Sequence, residues 1–197
     1  MKLYHMSDSL QVGTELVSDY KQNADLAEPF VKALQLNRDV FYAMILNAYY
    51  LGEVLAKYKM SGMPTNETKW ACEGLFEFIR RTEFPDKCSR LQSIFYYDTL
   101  ENCKKLYYEG WANASEEKKQ QMRLFEVEVE GRICKCDMAL FDKAYDLLDD
   151  LKAPNGIDEI YDVARAYFRG DCSQDSIIEI LSDGKATAIE DISTLLK

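Results

Sequence analysis

From about residue 25 to residue 82 the apolar positions of this chain recur with the period of a helix, and that span sits between two segments with the period of a strand. Leu26, Phe30, Val31 and Leu34 share one helical face, and Phe41, Met44, Ile45, Ala48 and Leu55 share the face of the helix that follows. Ser61-Gly62-Met63-Pro64 interrupts the pattern. Thr65 or Asn66 then supplies a cap, and a third helix carries Trp70, Leu75, Phe78 and Ile79 to about Arg81. A helical block of this size predicts an α+β fold with helices inserted after the first strand.

The strand ahead of the block is Lys2-Leu3-Tyr4-His5-Met6-Ser7, whose alternation sets Leu3, His5 and Ser7 on one face and Tyr4 and Met6 on the other. Gly13 within the polar stretch 11–18 predicts a turn and a short extended piece. Beyond the block, Pro85 breaks the helix and 89–97 reads as a loop running into a strand, Ser93-Ile94-Phe95-Tyr96-Tyr97. Asp98 with Glu101 resembles a capping box for a helix bearing Leu100, Cys103, Leu106 and Tyr107, and 115–121 is a charged, solvated run. Phe125, Val127 and Val129 alternate in the next strand, Gly131 turns it, and Ile133-Cys134-Lys135-Cys136 continues it.

Asp137 stands at the N-cap of a helix carrying Leu140, Phe141, Ala144 and Leu148. Pro154-Asn155-Gly156 separates it from a helix over 157–169 that Gly170 closes. The β-branched run 176–182, Asp183-Gly184 and the stretch 185–192 together predict a final hairpin. The whole reads as one domain with a compact, largely antiparallel sheet.

With 34 acidic against 24 basic residues the net charge is −10, which disfavours a non-specific grip on a phosphate backbone. No apolar run reaches the length of a membrane span and the first residues lack a hydrophobic signal segment, so a cytoplasmic protein is expected, with no membrane partner. The six cysteines form no spaced CxxC pair and the chain has one histidine, so buried, reduced thiols are expected and no metal site.

That histidine, His5, projects from an apolar strand face, and Glu179 interrupts a run of isoleucines where an unpartnered carboxylate is costly to bury. A satisfied core imidazole and an edge-strand carboxylate are the plain alternatives. Asp137 reads first as a helix cap, Cys134 and Cys136 as structural, and Glu73, Glu77, Arg80 and Arg81 as a solvated helix face with spaced charge pairs.

Tyr4-His5-Met6-Ser7 with Leu10 and Gly13 resembles the "YHGT … L … GD" opening of rifampin ADP-ribosyltransferases and the "YH" opening of related NAD-using toxins. Ser93-Ile94-Phe95-Tyr96-Tyr97 is similar to the "GIYF" motif of poly-ADP-ribose-polymerase-like folds, with a helix after it, and Ile178-Glu179-Ile180-Leu181 resembles their "EFL" or "EYI" motif in the penultimate strand. Phe84-Pro85-Asp86, Ser89-Arg90 and Ser93-Ile94-Phe95 also resemble an uncharacterised bacterial domain family of the same superfamily. Phe95 stands where those proteins carry tyrosine, and Tyr97 lies on the same strand face; Ser93 stands where glycine is common.

The resemblance implies an ADP-ribosyltransferase-like domain over residues 1–197 with a helical insertion at about 25–82. It implies NAD⁺ as co-substrate and mono-ADP-ribosyl transfer to a protein, a nucleic-acid base or a small molecule, as in toxins or resistance enzymes, with an inhibitor or antitoxin as a further partner. His5 and Ser7 would bind the dinucleotide, Phe95 or Tyr97 would stack on nicotinamide, and Arg90 would hold the pyrophosphate. Glu179 would meet the oxocarbenium-like charge, and Asp137 is the second candidate for that acid because rifampin enzymes place an aspartate after their middle strand. A preorganised carboxylate in a dry cleft suits such charge. A non-catalytic member of the fold, or a helical interaction module, is the alternative.

Overall fold

Strand β1 occupies Lys2–Ser7, as the alternation predicts, and Gly13 with φ +84° makes the turn that leads to a two-residue strand β2, Glu15–Leu16. The computed structural model describes residues 1–18, 21–57, 67–110, 114–173 and 176–196. Helices α1 (Lys21–Leu36), α2 (Arg38–Lys57) and α3 (Glu67–Glu83) follow. The cap expected at Thr65 or Asn66 lies outside the described residues. Next come β3 (Ile94–Tyr97), α4 (Leu100–Lys105) running into a π-helical turn, α5 (Glu116–Gln121), β4 (Arg123–Val129) and β5 (Ile133–Asp137). Helices α6 (Met138–Asp149) and α7 (Ile157–Arg169) precede β6 (Ile178–Ser182) and β7 (Ala186–Asp191). None of the helices in the described residues is long and apolar enough to cross a membrane.

The chain divides into two compact units. One comprises Tyr20–Leu91 and Leu140–Arg169 and is helical; the other comprises Met1–Asp19, Gln92–Ala139 and Gly170–Lys197 and holds the strands found among the described residues. In the helical unit α1 packs on α3 at Gly74, where a Cβ would lie 2.7 Å from that of Phe30 and 2.9 Å from the Ala27 carbonyl oxygen. Only glycine permits that approach. Phe76, at the centre of α3, meets Phe141, Tyr167 and Phe168 edge-on or tilted, with ring centroids 5.0–5.9 Å apart.

The charges of α3 depart from a solvated face. Glu77 is 4% exposed and accepts from Arg80, from Arg81 and from the Ser89 hydroxyl at 2.8–2.9 Å, while Glu73, also buried, pairs with Arg90. The i,i+3 and i,i+4 pairs are present as their spacing predicts. Sequence spacing alone could not show that Ser89 and Arg90 fold back onto the acidic side of α3 and shield it from water.

In the β unit all pairings are antiparallel, in the order β2-β7-β4-β1-β3-β6-β5. The predicted final hairpin does not form: β6 pairs with β3 and β5, whereas β7 pairs with β4 and β2. β4 and β5 are likewise consecutive in the chain yet have three strands between them in the sheet. Four strand spacings amount to about 19 Å in a flat sheet, and a three-residue link reaches at most about 15 Å, so the sheet must fold on itself.

The crease falls between β1 and β3, which are in register only at Tyr4 and Tyr97, against six registered pairs between β1 and β4. Leu3, Phe125, Val127, Val129, Ala186 and Ala188 from one half meet Ile94, Tyr96 and Ile180 from the other as a single buried cluster inside the fold. A second cluster covers the outer side, where Tyr97 and Leu124 pack with Cys103, Leu106, Tyr107 and Leu196.

At one end both crossings run side by side. Glu130 N–H donates to the Lys185 carbonyl at 2.9 Å, the Ser182 hydroxyl donates to the Arg132 carbonyl at 2.8 Å, and Arg132 pairs with Asp183. A Cβ on Gly184 would collide with the Glu130 carbonyl oxygen. Asp183-Gly184 is thus a turn between half-sheets. The helix α4 is capped by Thr99, whose hydroxyl accepts from the Asn102 amide, and not by Asp98, whose carboxylate takes the Asn102 side chain and Lys135. Asp137 does serve at the start of α6, accepting from Ala139 N–H at 2.8 Å.

Candidate active site

Three of the stretches singled out in the sequence lie on three adjacent strands, β1, β3 and β6. Glu179 is the second residue of β6, the penultimate strand. The register sets it opposite Tyr97 on one side and Cys136 on the other. Because side chains alternate along a strand, Phe95 and Tyr97 share the face of Glu179, the outer one. Glu179 is 4% exposed and Tyr97 is buried, whereas Phe95 is half-buried.

His5 is opposite Phe125 and shares the inner face with Leu3 and Tyr96; its ring lies 5.6 Å from that of Tyr96. The pleat therefore does not place His5 and Glu179 on one face. What links His5 to the other half-sheet is a bond across the crease. Its Nδ1 lies 2.9 Å from the Phe95 carbonyl oxygen, where continued strand pairing would otherwise run.

The bond fixes the tautomer. A carbonyl oxygen can only accept, so Nδ1 carries the proton and Nε2 keeps its lone pair. Burial depresses the pKa below the usual histidine value, opposed only in part by the bond to Phe95, so the imidazole is neutral near pH 7. Nε2 has no hydrogen-bond partner among the described residues and is an acceptor for a hydroxyl brought to the crease.

Asp137 is 0% exposed, and its two oxygens accept from Ala139 N–H, Ser173 N–H and the Ser173 hydroxyl. Burial pushes its carboxyl up, but the hydrogen bonds it accepts, those of Ser173 foremost and that of Ala139 among them, together hold it below the ordinary aspartate range. The Ser7 hydroxyl closes the turn after β1 by accepting from Ser9 and Leu10 N–H. Arg90 belongs to the helical unit, where its buried guanidinium engages Glu73 and Tyr167 and lies 3.7 Å from the Phe141 ring centroid. Of the six cysteines, five are buried and Cys172 is exposed, all as free thiols. Among the described residues no three His, Cys, Asp or Glu side chains group as a metal would require.

Residues 3–194 match the family described as "Protein of unknown function (DUF2441)". The chain belongs to this family. The match runs from within β1 to beyond β7 and takes in residues of both units. A search of curated proteins found no match.

Sequence reasoning did not single out Ser173, 36 residues from Asp137, or Phe125 as the partner of His5. Neither carries a local signal, since each acquires its place only when distant segments meet.

Proposed function

We propose that the protein is an NAD⁺-dependent mono-ADP-ribosyltransferase acting on a protein, a nucleic-acid base or a small molecule. The observation that carries this reading is the adjacency of the three motif strands, with Glu179 directly across from Tyr97 and one strand removed from the crease that His5 bridges. NAD⁺ supplies the ADP-ribosyl group: the C–N bond to nicotinamide breaks with its electron pair leaving on nicotinamide, and the acceptor forms the new bond and gives up a proton. Phe95, half-buried on the face of Glu179, or Tyr97 stacks on the departing base, and Glu179 stabilises the positive charge that develops on the ribose, while His5, on the other face, serves this site through its bond to the Phe95 carbonyl. The site is built without Arg90, whose guanidinium is held within the helical unit, and without chemistry at Asp137, whose oxygens are occupied.

A second reading, a non-catalytic module on the same architecture, is favoured by the placement of His5 and Glu179 on opposite faces of the sheet. One assay separates the two. Purified protein is incubated with NAD⁺ and with protein, nucleic-acid and small-molecule acceptors, and released nicotinamide is quantified. The transferase reading expects release that falls about 10²–10³-fold in Glu179→Gln, the loss typical of removing one preorganised electrostatic group. No release by the native sequence with any acceptor refutes it in favour of the module.

A further inference from the structure

Asp137 ends β5 at the point where the chain enters α6, and it is paired in register with Ile178, the residue before Glu179. Its Oδ1 accepts from Ala139 N–H at 2.8 Å, and its Oδ2 accepts from both the amide and the hydroxyl of Ser173 at 2.7 Å. Met138 N–H donates to the Ile177 carbonyl at 3.0 Å alongside. One buried carboxylate therefore ties together the end of β5, the first turn of α6 and the segment that leads into β6.

We propose that Asp137 is a positioning residue: it anchors the lead-in to β6 through Ser173 and so sets the position along that strand at which Glu179 is presented. The structural part stands on the bonds above, and the consequence for catalysis rests on the transferase reading. Bonds to a charged acceptor are the strong ones, and the same carboxylate cannot hold Ser173 and act on a substrate without releasing one of them. Burial of Asp137 and exposure of Ser173 make the serine the better place to intervene, because a change there spares the core.

The test pairs Ser173→Ala with Ser173→Thr, and adds Asp137→Asn. Hydrogen exchange of the amides of 177–181 reports the anchor without any need for activity. Loss of one charge-assisted bond should speed that exchange about tenfold in Ser173→Ala, and Ser173→Thr, which keeps the hydroxyl, should restore it. In nicotinamide release, Ser173→Ala should lower kcat with little change in KM for NAD⁺, and threonine should rescue it. Unchanged exchange in both Ser173→Ala and Asp137→Asn overturns the proposal. So does an Asp137→Asn protein that folds, keeps native exchange in β6 and has lost turnover, since Asp137 would then act on the substrate itself. If the native protein releases no nicotinamide, the transferase reading fails while exchange still decides whether the anchor exists.

Discussion

The state of His5 can be measured directly, because it is the one histidine in 197 residues. Its folded pKa lies below 6.5, chiefly through burial. Between the folded value and 6.5 the unfolded chain therefore binds a proton that the folded chain does not, and stability must fall as pH drops through that window. Each unit of depression costs up to about 1.4 kcal/mol of folding free energy on the acid side. His5→Asn retains an N–H that can reach the Phe95 carbonyl but has no titrating ring, so the native-minus-variant stability difference isolates the imidazole from the carboxylates. Urea unfolding at pH 7.5 and pH 5 gives that difference, and long-range ¹H–¹⁵N spectra of the single ring give both its midpoint and its tautomer. The expected results are a midpoint under 6.5, a proton on Nδ1, and a native protein that loses more stability than His5→Asn on acidification. A proton on Nε2 would refute the bridge across the crease and with it the acceptor role of Nε2, and a midpoint at or above 6.5 would refute the burial of the ring, since the bond to Phe95 acts in the opposite direction.

Two further predictions concern the scaffold. Glu77→Gln leaves Arg80 and Arg81 without their shared carboxylate and should cost about 3 kcal/mol at pH 7, as for other half-broken buried pairs; desolvation opposes its ionisation, but its bonds to Arg80, Arg81 and Ser89 hold its pKa below 4.5. The native advantage over this variant should therefore shrink as pH falls below 4.5, and equal stability at pH 7 would rule out a structural network. Gly184→Ala forces a methyl into the Glu130 carbonyl and should cost about 3 kcal/mol, the upper end of overpacking, while Gly13→Ala, with positive φ but open space around it, should cost about 1 kcal/mol. Equal urea midpoints for these two variants would count against the side-by-side turns.

Much of the local structure was legible in the residues. The alternation of Lys2–Ser7, the closure of α7 by Gly170 with φ +83°, and Asp137 at the start of α6 are all present as the pattern predicts. The misreadings share a cause. Asp183-Gly184 fixes a reversal of direction but not which strands pair across it, and the α3 carboxylates look solvated until Ser89 and Arg90 close over them. Asp98 looked like a cap, yet Lys135, 37 residues away, competes for its oxygens.

For the candidate site the division is sharper. Residue order alone put His5, Phe95, Tyr97 and Glu179 on three strands, because side-chain period and turn chemistry are properties of a few neighbouring residues. That those strands are adjacent, that the sheet creases between the first two, and that His5 meets the others through a backbone carbonyl were decided by tertiary structure. Burying apolar surface on both sides of a sheet joined by three-residue links leaves a flat arrangement unavailable, and that constraint belongs to the folded chain as a whole.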